Sequence, residues 1–127
     1  MGIVSVSIGS EELSEIESLQ RELGISGRSE IMRMGIKKLS SDQKELSSLS
    51  GNIDCVLLVV HKHDSTHAVA EIRHDFESMI RTQLHSHIAK DKCLEILVAS
   101  GDSNKVKKMV KAFESLKKVD YVKLVVP

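Results

Sequence analysis

Residues Ile3 to Ile8 alternate apolar with small polar side chains, which predicts a short strand with Val4, Val6 and Ile8 on one face and Ile3, Ser5 and Ser7 on the other. The period then changes. Leu13, Ile16, Leu19 and Leu23 recur at helical spacing behind a Ser10 cap and the acidic first turn of Glu11 and Glu12, and Gly24 stands where a left-handed cap closes such a helix. A second helix opens near Ser26 or Gly27, runs through Arg28-Ser29-Glu30 to about Leu39, and is apolar over much of its circumference through Ile31, Met32, Met34, Ile36 and Leu39. A strand and two helices bury too little surface to fold alone, and a helix that is apolar on most sides needs a second covering surface. An intertwined dimer would supply it. The polar stretch from Ser40 to Gly51 reads as a helix tail running into a linker.

Beyond the linker, the continuous apolar run from Ile53 to Val60 predicts a strand buried on both faces. A helix is expected from about Ser65 to Arg81, with Val69, Ile72, Phe76 and Met79 as its inward stripe. A hairpin follows, with strands over Leu84–Ala89 and Cys93–Ala99 and a turn at Lys90-Asp91. A last helix starts at Asp102 or Ser103 and turns Val106, Met109, Val110, Phe113 and Leu116 inward, and Tyr121–Val126 closes the sheet. The order βαββαβ is the ferredoxin-like arrangement, so the chain is expected to be α+β, with units at 1–45 and 52–127 joined by a linker at 46–51.

Composition narrows the partners. The chain has 127 residues, 41% of them apolar, and no apolar run approaches the roughly 20 residues of a membrane helix. Without the basic start and apolar stretch of a secretory leader at residues 1–8, a cytoplasmic protein is expected. Lys plus Arg equal Asp plus Glu at 18 each, and Glu11, Glu12, Glu15, Glu17 and Glu22 crowd the first helix. Any nucleic-acid binding must rest on local geometry rather than bulk charge.

The 2 cysteines, Cys55 and Cys93, are too few for a disulfide framework, while all 6 histidines fall between His61 and His87. His85 and His87, two apart on a strand, project from one face, and the hairpin returns Cys93 to about the level of Ile88, beside His87. His74, two residues from both Ile72 and Phe76 on its helix, faces away from its own core, so it would complete a site on a neighbouring subunit. Each of these histidines alone is an ordinary surface or hydrogen-bonded residue; together with Cys93 they form a three-plus-one ligand set. Tetrahedral geometry would suit zinc, and planar geometry nickel or Cu(II). Cys55, inside an apolar strand, reads as a small buried thiol. His61, His63 and His67 read as a solvated helix start rather than a second metal site, and Glu95 either orients an imidazole or lies exposed on its strand. No Gly-x-Ser-x-Gly or phosphate-loop motif is present, and four protein ligands leave a metal no open position, so catalysis is not expected.

The strand Val4-Ser5-Val6-Ser7-Ile8, the Gly-x-x-x-Arg-Ser-Glu segment from Gly24 to Glu30, and the spacing His74-x10-His85-x-His87-x5-Cys93 followed by Leu94-Glu95-Ile96 and Gly101-Asp102 together resemble the nickel-responsive transcriptional regulator family. The resemblance spans nearly the whole chain; its N-terminal half is shared by many ribbon-helix-helix repressors and antitoxins, whereas the histidine and cysteine spacing is specific. It implies an N-terminal ribbon-helix-helix, formed as an intertwined dimer, ahead of an ACT-type ferredoxin-like domain. Two DNA-binding dimers would flank four such domains in a homotetramer. It further implies a ribbon that lies in the major groove of a double-stranded DNA operator, with the positions of Ile3, Ser5 and Ser7 toward the bases and Arg28 and Ser29 near a phosphate. One Ni(II) per subunit would be held by His85, His87 and Cys93 with His74 of another subunit, acting as co-repressor. The alternatives are a copper, cobalt or zinc sensor with the same fold and an antitoxin-like regulator that needs no metal. Three departures from the family pattern are visible: Ile3 replaces an arginine, Met34 replaces a carboxylate used with Glu30 for a second cation, and the segment from His63 to His74 is shorter.

Overall fold

In the computed structural model, which describes residues 1–127, two units form separately: Met1–Glu45 and Leu46–Pro127. The first holds α1 (Ser10–Leu23) and most of α2 (Arg28–Ser47). Gly9 precedes α1 in extended conformation, and Gly24 ends it at φ 67°, a left-handed cap whose N–H bonds back to the Gln20 carbonyl. Residues 1–9 form no strand and lie exposed, in contrast to the strand expected over Ile3–Ile8. The reason is physical: a strand is held by the N–H and C=O groups of a neighbour, and this unit contains only helices. Helix α2 continues past Leu39 to Ser47 because its polar tail suits a solvated helix, where Lys38 pairs with Asp42 one turn on at 3.3 Å. Ile31 is the single buried residue of the two helices, and Ile36 and Leu39 are about two-thirds exposed.

The second unit runs β1 (Asn52–Lys62), a short 3₁₀ turn (His63–Ser65), α3 (Thr66–Asp75), β2 (Ile80–Ala89), β3 (Lys92–Asp102), α4 (Ser103–Glu114) and β4 (Val119–Val125). The strands pair antiparallel in the order β2-β3-β1-β4. This is the ferredoxin-like order. Along β1 and β3 the pleat sends alternate residues inward: Cys55, Leu57, Val59 and His61 from one, Cys93, Glu95, Leu97 and Ala99 from the other. The opposite face of β1, with Val56, Leu58 and Val60, is half-buried, so the strand expected to be covered on both faces is fully covered on one. Val69 of α3 and Val106, Met109, Val110 and Phe113 of α4 close the core over the inward face. Asp102 caps α4 by accepting from the Asn104 N–H at 2.7 Å.

Helix α3 ends at Asp75, six residues before the expected Arg81. Phe76 and Met79 keep their inward places, but as part of a turn in which the Met79 N–H bonds to the Phe76 carbonyl. β2 then begins at Ile80, opposite Ala99, because the edge of β3 offers a full ladder of backbone partners. Polar Arg81, Thr82 and Gln83 carry no alternation that would have announced a strand. The segment 46–51, expected as a linker, belongs to the second unit: Leu46 packs on the core, and Lys107 Nζ donates to the carbonyls of Ser47 and Leu49. No helix is long and apolar enough to cross a membrane.

Candidate metal centre

One end of the sheet's inward face carries polar groups where the rest carries Leu and Val. β3 lies between β1 and β2, and its register sets Cys93 opposite both His61 and His87, and Glu95 opposite both Val59 and His85. A bulge between His87 and Ala89 places Cys93 directly across from His87 rather than at the level of Ile88. Directly opposed residues share a face, so His85, His87, Cys93 and Glu95 emerge together. The 3₁₀ turn brings in His63. It is pinned by the His63 N–H bonding to the Asp91 carbonyl of the hairpin turn at 2.8 Å, by the Thr66 hydroxyl donating to the His63 carbonyl at 2.6 Å, and by Lys118 Nζ donating to Asp64 Oδ2 at 2.6 Å. The Lys118 ammonium holds the Asp64 carboxyl below its usual range.

Two clusters result, one rung apart. In the outer one His63 and His87 stack at 5.6 Å between ring centres and 11° between planes, and Cys93 Sγ lies 3.6 Å from His63 Nδ1. The inner one consists of His61, His85 and Glu95. Glu95 Oε1 is 2.5 Å from His85 Nδ1 and 3.4 Å from His61 Nε2, while Arg73 of α3 donates to Oε2 at 3.2 Å. In each cluster three potential ligand atoms lie within 4.8 Å of one another. The outer donor set, two imidazoles and a thiol, matches borderline and soft divalent ions such as nickel, copper and zinc.

Among the residues singled out from the sequence, His87 and Cys93 come together in the outer cluster, where the third member is His63, while His85 emerges on the same face one rung further along, bonded to Glu95 in the inner cluster. His74 joins neither: it sits on the outward side of α3, 77% exposed at its side chain, with the Glu77 carboxylate 3.2 Å away. Ile3, Ser5 and Ser7 lie in the exposed N-terminal segment, Ser29 is exposed in the first turn of α2, and Arg28 lies 3.8 Å from Glu17. Cys55 is buried, and that burial, with Asp54 adjoining, pushes its thiol above the ordinary value. His61, expected at a solvated helix start, is instead fully buried. Glu95, read from the sequence as either orienting an imidazole or lying exposed, is fully buried and bonds to the His85 imidazole, the first of those alternatives. The signal was present: counting inward by twos from Cys55, Leu57 and Val59 reaches His61, and from Ala99 and Leu97 reaches Glu95. His63 joins the outer cluster, while His67 stays exposed beside Glu71.

A ferredoxin-like domain with imidazole, thiol and carboxylate donors gathered at one end of its sheet has the fold and the donor set of a domain that can hold a metal ion. Residues 55–126 match the NikR C-terminal nickel-binding domain. Across 99% of its length the chain is 30% identical to a protein of Methanococcus maripaludis (strain C5), covering 92% of it, and across 98% it is 31% identical to one of Methanocaldococcus jannaschii, covering 90% of it. Both are named, provisionally, as nickel-responsive regulators. The chain belongs to the nickel-responsive regulator family. Among solved structures, an uncharacterized protein from Thermotoga maritima superposes with TM-score 0.56 at 18% identity, covering 60% of this chain and 98% of that one. The ACT domain of GTP pyrophosphokinase from Chlorobium tepidum superposes with TM-score 0.50 at 13% identity, covering 58% and 86%. These two support the fold alone. The family's members are regulators, which agrees with the lack of a catalytic motif in the sequence.

Proposed function

We propose that this protein is a nickel-dependent, DNA-binding transcriptional repressor of the cytoplasm, in which one Ni(II) per subunit acts as co-repressor. The observation that carries the reading is the register that sets Cys93 opposite His87 with His85 one rung further along the same face, in a chain of the nickel-responsive family. His85, His87 and Cys93 would hold the ion, and the outward-facing His74 would complete the set on a neighbouring subunit. Bound there, nickel would join two chains through these ligands, and Cys93 would bind as the thiolate. Glu95, which bonds to both His85 and Arg73, would tie the site to α3, where Arg73 adjoins His74.

In the N-terminal unit, two copies of residues 3–8 would pair into an antiparallel ribbon, and the exposed apolar residues of α2 would cover one another. That ribbon-helix-helix dimer would enter the major groove with Ile3, Ser5 and Ser7, while Arg28 and Ser29 at the start of α2 meet a phosphate. Two dimers joined through the C-terminal units make a homotetramer. Ligand and DNA affinities are then linked, and the coupling is expected at about 1–3 kcal/mol.

The test is an anaerobic Ni(II) titration read by thiolate charge-transfer absorbance and followed by operator binding. One ion per chain is expected. Cys93→Ala should remove the band and His74→Ala should shift it, each weakening nickel-dependent operator binding about tenfold or more. Unchanged metal-dependent binding in Cys93→Ala would sink the mechanism.

A further inference from the structure

The inner cluster differs from the outer one in chemistry and in burial. We propose that His61, His85 and Glu95 form a second metal site, an N₂O set within one chain that takes a borderline first-row divalent cation without using the thiolate. This goes beyond the nickel reading. It rests on the geometry of three strands and not on the family's ligand pattern.

Three observations carry it. The first is hydrogen bonding around His61, whose Nδ1 lies 2.8 Å from the Lys62 carbonyl and 3.2 Å from Ser65 Oγ, while the Ser65 hydroxyl donates to that same carbonyl at 2.8 Å. With its hydrogen spent on the carbonyl, Ser65 can only accept from Nδ1, so both neighbours require Nδ1 to carry the ring proton. Nε2 points at the Glu95 carboxylate 3.4 Å away, so the place between them is filled either by a proton on Nε2 or by a cation standing where that proton would be. Two acceptors facing each other in a dry interior repel unless a positive charge stands between them. An N–H donated to a backbone carbonyl, with the other ring nitrogen turned toward the site, is how proteins orient metal-ligating histidines.

The second observation is spacing. Ligands about 2.1 Å from a tetrahedral ion stand about 3.4 Å apart, the separation of His61 Nε2 from Glu95 Oε1. His85 Nδ1, now 2.5 Å from the same oxygen, must withdraw by about 1 Å to admit an ion, and it is the partly exposed member of an otherwise buried set. The third is burial itself. Glu95 and His61 are fully enclosed on a face where Leu57, Val59 and Leu97 continue, and Arg73 occupies only Oε2. Two imidazoles and one carboxylate suit zinc, cobalt(II) or iron(II) rather than a soft ion. His85 belongs to both ligand sets, so an ion on the inner rung would withhold it from nickel.

The experiment uses full-length Cys93→Ser, which cannot make a thiolate site, titrated anaerobically with Co(II) and followed by its visible d–d bands. One Co(II) per chain is expected, with no thiolate band. The shape-conserving Glu95→Gln and the size-matched His61→Phe, each added to Cys93→Ser, should weaken binding about tenfold or more. Absence of Co(II) binding in Cys93→Ser, or binding unchanged by both added substitutions, would overturn the site. Glu95→Gln keeps the test open should His61→Phe fail to fold. In His61→Phe with Cys93 intact, the Ni(II) thiolate band should persist, and in wild type preloaded with Co(II) it should appear only at higher nickel concentration. A wild-type chain without that band would refute the nickel reading while leaving the Cys93→Ser result to stand or fall by itself.

Discussion

The two units of this chain solve burial in opposite ways. Leu46–Pro127 closes a core of its own, in which Leu57, Val59, Val69, Leu97, Val106, Met109 and Phe113 are fully enclosed. Met1–Glu45 buries Ile31 and leaves Ile3, Val4, Leu23, Ile36 and Leu39 in contact with water. Apolar burial is the main favourable term in folding, at about 25 cal/mol per Å². The first unit therefore lacks by itself what the second has, although both show clear hydrophobic periodicity. A pattern promises a buried face without saying which chain will cover it.

The sharpest way to break the contrast is to separate the units. A fragment of residues 46–127 should unfold cooperatively and independently of concentration, whereas residues 1–45 should be largely unstructured when dilute and gain helical circular dichroism as concentration rises. Concentration-independent helicity in the short fragment would show that one copy suffices. Next in size is a pair of substitutions. Phe113→Ala should cost the second unit about 3–5 kcal/mol in urea denaturation. Ile36→Asp should leave that transition within about 0.5 kcal/mol while suppressing the concentration-dependent helicity. If both shift the same transition, the units do not fold separately.

The smallest effect is a pH dependence in the core of the second unit. Burial raises the Cys55 thiol above its ordinary 9.0 in the folded chain. A raised acid pKa means the folded state disfavours the thiolate, so stability is unaffected well below pH 9.0 and falls as pH rises through that value, where the unfolded chain releases its proton first. In Cys55→Ala that alkaline slope should flatten. An unchanged slope, measured by urea denaturation between neutral and alkaline pH, would assign it to other groups.

Most of the second unit was legible. Val106, Met109, Val110 and Phe113 lie on one stripe of α4, and Asp102 is a cap by its chemistry, so that helix could be placed from local rules alone. The end of α3 could not, because Phe76 and Met79 satisfy a helical stripe equally well from a turn; the backbone partners offered by β3 decided that β2 starts at Ile80. In the metal centre, the pairing of His85 and His87 on one face needs only the strand's period of two. The company they keep depends on which strand lies beside them. His61 was misplaced because clustered histidines look solvated until the alternation of their own strand is followed to its end, and the same count decides between the two readings of Glu95.

The sequence by itself determined the order of elements from β1 onward, the Gly24 and Asp102 caps and the inward stripes, since these depend on neighbours within a few residues. The α1 cap, by contrast, falls on Gly9 rather than the expected Ser10, and the expected strand at residues 3–8 does not form. Only the tertiary structure decided that Cys93 faces His87, that Glu95 joins His61, His85 and Arg73, and that His63 closes on the outer rung. Those contacts join residues six to thirty-four apart in sequence, where strand register, including a single bulge after His87, selects which side chains meet. Local preference cannot specify register, because a shift by one residue preserves every period and reverses every face.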